Sequence, residues 1–166
     1  MKTNGISTIV HSFPDIKPIN FVEEAIKLNG YASHYSFISN ETVPLQPAHG
    51  EKRLHFVCFD RTIKLKQSEG ILRAERMRLC KDAPNFLLGF AAQVPETRLP
   101  AEFRGKHLVA IVAERSRTFP SKNGDNRCFL YIDRSEACRR LGLVVVDDLL
   151  YDIWALVAED LPPDSV

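Results

Sequence analysis

The chain has 166 residues, 45% hydrophobic and 26% charged, a balance that excludes a disordered chain and supplies enough apolar surface for one ordinary core. Twenty-two Lys and Arg against 21 Asp and Glu leave a formal charge of +1. That argues against a protein devoted to gripping a nucleic-acid backbone, because each phosphate contact needs a cation.

No window approaches the ~18 consecutive apolar residues that cross a bilayer. The opening MKTNGISTIVHSFP lacks the continuous apolar core of a secretory signal. The four cysteines, Cys58, Cys80, Cys128 and Cys138, are therefore expected to be reduced thiols in a cytoplasmic protein.

In chain order, the pattern predicts a strand over 6–10 ended by Phe13-Pro14. A helix follows, introduced by Pro18 and Asn20 and running to about Leu28. Phe21, Val22, Ala25 and Ile26 share one of its faces, and Asn29-Gly30 is its stop. A second strand is expected over 35–38, and the turn-rich segment 39–53 reads as a mobile or functional loop. The next strand, over 54–65, is apolar on both faces at first and alternates from Asp60 onward.

A basic helix is expected over 68–80, then a more apolar helix opened by Pro84 and carrying Phe86, Leu87, Phe90 and Ala91. A proline-punctuated loop over 94–106 leads to a strand over 107–113. Its partner is a strand over 128–132, in a long-looped antiparallel hairpin with Asn123-Gly124 as the turn signal. The remainder reads as a short helix over 135–141, a strand over 143–146, a final helix from Asp148 to about Glu159, and a polar tail over 160–166. The expected fold is one α+β domain over 1–166, with a mixed, largely antiparallel sheet of four to six strands packed with about five helices.

The stretch LVVVDDLLYDIWALVAED holds the most suggestive carboxylates. Leu149, Leu150, Ile153, Trp154, Val157 and Ala158 have helical spacing. On that reading Asp147 is an N-cap and Asp148 sits in the first turn, where the helix dipole favours negative charge. The run also looks like the metal-binding strand end of P-loop ATPases, but no GxxxxGK[ST] is present to cradle phosphates. It is similar, too, to the late Asp-Asp of haloacid-dehalogenase-like phosphatases, whose early DxDxT strand would correspond to Cys58, Asp60 and Thr62 in CFDRT. Ser116 and Lys122 would take the intermediate roles. That resemblance departs at Cys58, since a thiol cannot form the acyl-phosphate.

Five histidines, His11, His34, His49, His55 and His107, form no HxH or HExxH, and no CxxC occurs, so neither a metal nor a cofactor is expected. Cys58 and Cys128 lie in apolar strands, where desolvation raises a thiol pKa and suppresses nucleophilicity.

The strongest functional signal is cationic. Arg73 and Arg76 lie on the predicted basic helix, which continues into Lys81, and they leave Ile71, Leu72, Leu79 and Cys80 to pack inward. Arg115, Arg117, Lys122 and Arg127 surround Phe119 in the hairpin loop 114–127. If the two clusters meet, they form a surface for phosphate or an acidic partner. The expected function is a non-enzymatic binding or interaction module for an unknown protein or anionic ligand. Nucleic acid is compatible but not favoured, no membrane partner is expected, and a homodimer is one form of association. The alternative is a small metal-dependent phosphohydrolase or nucleotide-processing enzyme using Asp60 with Asp147 or Asp148, which requires those carboxylates at the ends of adjacent strands.

Overall fold

A computed structural model describes every residue except Met1, Asn4, Gly30, Ala32, Tyr35, Glu136, Ala137 and Val166. Its centre is a mixed sheet in the order β1 (Lys2–Thr3), β2 (Ile6–Ile16), β4 (Lys52–Phe59), β12 (Trp154–Asp160), β7 (His107–Ala110), β9 (Arg127–Ser135), β10 (Cys138–Val145) and β3 (Ser33–His34). Two short strands attach beside this path: β6 (Met77–Leu79) on β12 and β8 (Phe119–Pro120) on β9. A separate ribbon pairs β5 (Ile63–Lys64) with β11 (Leu149–Leu150). Only β12–β7 and β10–β3 are parallel among the described pairs, so the sheet is largely antiparallel as expected. The buried side chains form one continuous cluster.

Two of the three α-helices in the described chain follow from local signals. α1 (Val22–Asn29) buries Val22 and Ala25 and carries Glu23 and Glu24 in its first turn and Lys27 in its last, which suits the helix dipole. Phe21, expected on the buried face, is 59% exposed. α3 (Ala83–Gln93) has Pro84 in its first turn and is buried from Ala83 through Ala91. It packs against backbone at Gly89, where an added Cβ would lie 1.8 Å from the Lys17 carbonyl oxygen. Phe90 meets Phe13 and Phe56 with ring centroids 4.8 and 4.5 Å apart, the aromatic centre of one sheet face.

Several expected elements are corrected. β2 runs past Phe13-Pro14, because exposed Pro14 sits at a bulge beside Asp15, whose φ is 57°. The strand expected over 54–65 ends at Phe59; Ile63 and Lys64 leave for the small ribbon, and α2 (Leu65–Ala74) starts with the Gln67 side chain accepting from the Lys64 N–H at 2.9 Å. The basic helix stops at Ala74. Arg76 takes φ 58° and turns the chain into β6, which buries Met77 and Leu79 and projects Arg78. Ser36 and Phe37 form a turn rather than a strand, and Tyr35 lies outside the described residues.

The helix expected over 135–141 is absent where described: Ser135 pairs with Cys138 in a β9–β10 hairpin, and the two residues between them lie outside the described set. The largest correction is the final helix. Trp154 to Ala158 are buried on both faces of a strand between β4 and β7, so the apolar run fits a central strand instead of a helical stripe. Asp147 and Asp148 precede the short strand β11 and begin no helix; the Asp148 carbonyl accepts from the Leu65 N–H at 2.8 Å. The expected four to six strands and five helices thus become eight strands along the sheet path and three α-helices among the described residues.

The loop 39–53 is pinned on its inner side. Asn20 Oδ1 accepts from the Ala48 N–H at 2.9 Å, and buried Asn85 donates to Asn20 Oδ1 at 2.9 Å and to the Gln46 carbonyl at 2.8 Å. Val43 is fully buried.

Candidate functional site

β12 has two neighbours along one edge. Trp154, Ala155 and Leu156 pair with β7, while Ala158, Glu159 and Asp160 pair with β6. Where β6 and the chain after β7 part, the sheet forks around a cleft of about 640 Å³. Its walls are Glu69 and Arg73 from α2, all of β6 with Cys80 and Lys81, residues 112–114, Arg117, and Leu161 with Ser165. A second cleft of about 420 Å³ lies across Val112 and Arg117 and is closed by Pro44, Leu45 and Gln46 of the pinned loop and by Arg127. The basic segment after α2, the hairpin loop and the loop 39–53 therefore converge on Arg117.

The cations of the first cleft differ in how they are held. Arg78 Nε donates to Glu159 Oε1 at 2.7 Å, and Lys52 Nζ lies 2.6 Å from Glu159 Oε2 while standing 4.8 Å over the Phe86 ring. Burial alone would push the Glu159 carboxyl up. The hydrogen bonds and charges of Lys52 and Arg78 outweigh it and hold the carboxyl below its usual range. Arg117 is equally committed: Nη1 donates to the Lys81 carbonyl at 2.8 Å and Nη2 to Asp82 Oδ1 at 2.5 Å. These contacts tie the hairpin loop to the start of α3.

Arg73 and Lys81, in contrast, are exposed and have no ion-pair partner among the described residues. The nearby Cys80 thiol is pushed up to about 12, mainly by burial and then by Glu159, so it is held protonated.

The remaining predicted site residues disperse. Arg127 donates through Nε to Thr118 Oγ1 at 2.9 Å and through Nη2 to the Thr118 carbonyl, clamping the base of its own loop. Arg76 and Lys122 are exposed and line neither cleft; Arg115 lies 3.7 Å from Asp148 at the surface. Asp60 pairs with the adjacent Arg61 at 3.1 Å, and Asp147 accepts from the Tyr151 hydroxyl at 2.9 Å. The three aspartates of the phosphohydrolase reading are thus engaged separately. Among the described residues no group of three His, Cys, Asp or Glu side chains is placed to hold a metal.

A second constellation has no local signature in the sequence. Ser12 on β2 lies opposite His55 on β4, which lies opposite Ala158 on β12, and Asp160 follows on the same face of that strand. Ser12 Oγ is 2.6 Å from His55 Nδ1, and His55 Nε2 is 2.8 Å from Asp160 Oδ1. With Asp160 accepting from Nε2–H, Nδ1 is left as the acceptor for the Ser12 hydroxyl. His55 is buried, while the Asp160 side chain is open to solvent.

Comparison of the chain with protein-family models, with curated proteins and with solved structures gave no match.

Proposed function

We propose that the protein is a binding module for an acidic partner, held in the cleft at the fork of the sheet. The observation that carries this reading is that Arg73 and Lys81 have no ion-pair partner among the described residues, in a cleft whose other cations, Arg78 and Arg117, are already neutralised. Unpaired cations beside a fixed apolar wall gain most from an incoming carboxylate or phosphate. Among the described residues the cleft has no aromatic side chain in its lining and so no platform for stacking nucleic-acid bases, and Glu69 and Glu114 at its rim would repel a long polyphosphate. An acidic polypeptide fits this mixed rim better. The test is titration of a peptide in which Glu alternates with neutral residues, in low and moderate salt. Arg73→Glu with Lys81→Glu is expected to abolish a salt-dependent interaction while leaving the fold intact; unchanged binding would remove the cleft from consideration.

A second reading rests on Ser12, His55 and Asp160, whose hydrogen bonds follow the order used for acyl transfer. In that reading Ser12 Oγ attacks the carbonyl carbon of a small ester, its proton passes to His55 Nδ1 and then to the departing alcohol, and water hydrolyses the acyl-serine. It ranks below the first because neither cleft described above is lined by these residues. A fluorophosphonate probe separates the two readings: an adduct on Ser12 that disappears in His55→Gln supports acyl transfer, and an unlabelled native protein rules it out.

A further inference from the structure

Strand β6 meets β12 through alternate backbone groups. Cys80 N–H donates to the Val157 carbonyl at 3.1 Å and Leu161 N–H to the Arg76 carbonyl at 2.8 Å, with Arg78 opposite Glu159 between them. In an antiparallel ladder this alternation turns the N–H and C=O groups of Met77 and Leu79 toward the other edge. Among the described residues β6 pairs with no second strand, and those outward groups have no partner. The Lys81 carbonyl just beyond is held by Arg117. The cleft therefore combines two free cations with a short row of free backbone donors and acceptors.

Resting on the binding reading above, we propose that the partner is an acidic segment of polypeptide in extended conformation, added to β6 as a further strand. Its backbone pairs with Met77 and Leu79, and its carboxylates meet Arg73 and Lys81. A small anion would use the cations and leave the Met77 and Leu79 groups unpaired; an extended peptide uses both. The charges also give selectivity. Two copies of this protein meeting edge to edge would oppose Arg78 and Lys81 to their own kind, which blocks self-association, whereas an acidic strand is admitted.

The test uses the whole chain and an eight-residue peptide of alternating Glu and Val, with two isomers carrying N-methyl groups on every Val or on every Glu. In an added strand only alternate N–H groups face β6, and alternating side chains fix which ones do. The parent peptide should bind and slow hydrogen exchange at the Met77 and Leu79 amides. One methylated isomer should lose about tenfold or more in affinity while the other keeps it, as expected for about two lost hydrogen bonds.

Isomers that bind alike, whether tightly or weakly, overturn the strand geometry. If charge reversal at Arg73 and Lys81 still abolishes binding in that case, the acidic-cleft reading survives. Binding of pyrophosphate without binding of any peptide has the same meaning. Binding of neither probe overturns both.

Discussion

Two pairs of cations face the same cleft and differ in their commitments. Arg78 and Arg117 are spent on Glu159, Asp82 and the Lys81 carbonyl. Arg73 and Lys81 at the same cleft pair with no acid among the described residues. In the sequence Arg73, Arg78 and Lys81 lie in one basic segment and Arg117 in a separate loop, and nothing there tells the committed cations from the free ones. The difference teaches that a charge cluster becomes informative only when its counter-charges are known. Here two acids, Glu159 on the central strand and Asp82 before α3, take up Arg78 and Arg117 and leave Arg73 and Lys81 for a ligand.

The sharpest way to break that contrast is Glu159→Gln. It strips the shared counter-charge from Lys52 and Arg78 and should cost roughly 2–3 kcal/mol in denaturant unfolding. Its pH dependence follows from the direction of the shift. The folded carboxyl titrates below its unfolded counterpart, so its stabilisation is full above an unfolded value of about 4.3 and is lost as pH falls through the lower folded value. Glu159→Gln should flatten that part of the acid-unfolding curve; an unchanged curve would show that Glu159 does not control it.

Arg117→Lys is the next test. It keeps the charge but loses the two-pronged grip on Asp82 and Lys81, for an expected loss of about 1–2 kcal/mol and easier proteolysis of the hairpin loop. At the other extreme, Arg73→Ala with Lys81→Ala should leave stability within about 0.5 kcal/mol of the parent while weakening the acidic peptide. A large stability loss in that double variant would mean the two residues are structural after all.

What could be read from the sequence was local. Pro84 and the unbroken apolar run behind it mark α3, Glu23 and Lys27 bracket α1, and Asn123-Gly124 marks a tight turn, which joins the short β8 to β9 within the long β7–β9 connection and where Gly124 takes φ 76°. The condition placed on the basic clusters, that they meet in space, is met by Arg73, Lys81 and Arg117 but not by Arg76, Arg115 or Lys122. Arg76 escapes because it occupies the left-handed turn that ends α2, which a helical reading of 68–80 conceals.

The run from Trp154 to Ala158 is too short and too uniformly apolar to separate a helix from a doubly covered strand. Ser12, His55 and Asp160 come together only through the registers of three strands. No spacing in the chain announces that.

The strand that closes the sheet, β12, stands fourth of eight across it yet is the last regular element of the chain. During synthesis, β4 and β7 must therefore wait with open edges until residue 160 has left the ribosome. A chain halted before Trp154 would expose two apolar strands that only β12 can join. Such a fragment exposes apolar strand edges that favour aggregation, and the sheet is completed only when β12 enters it.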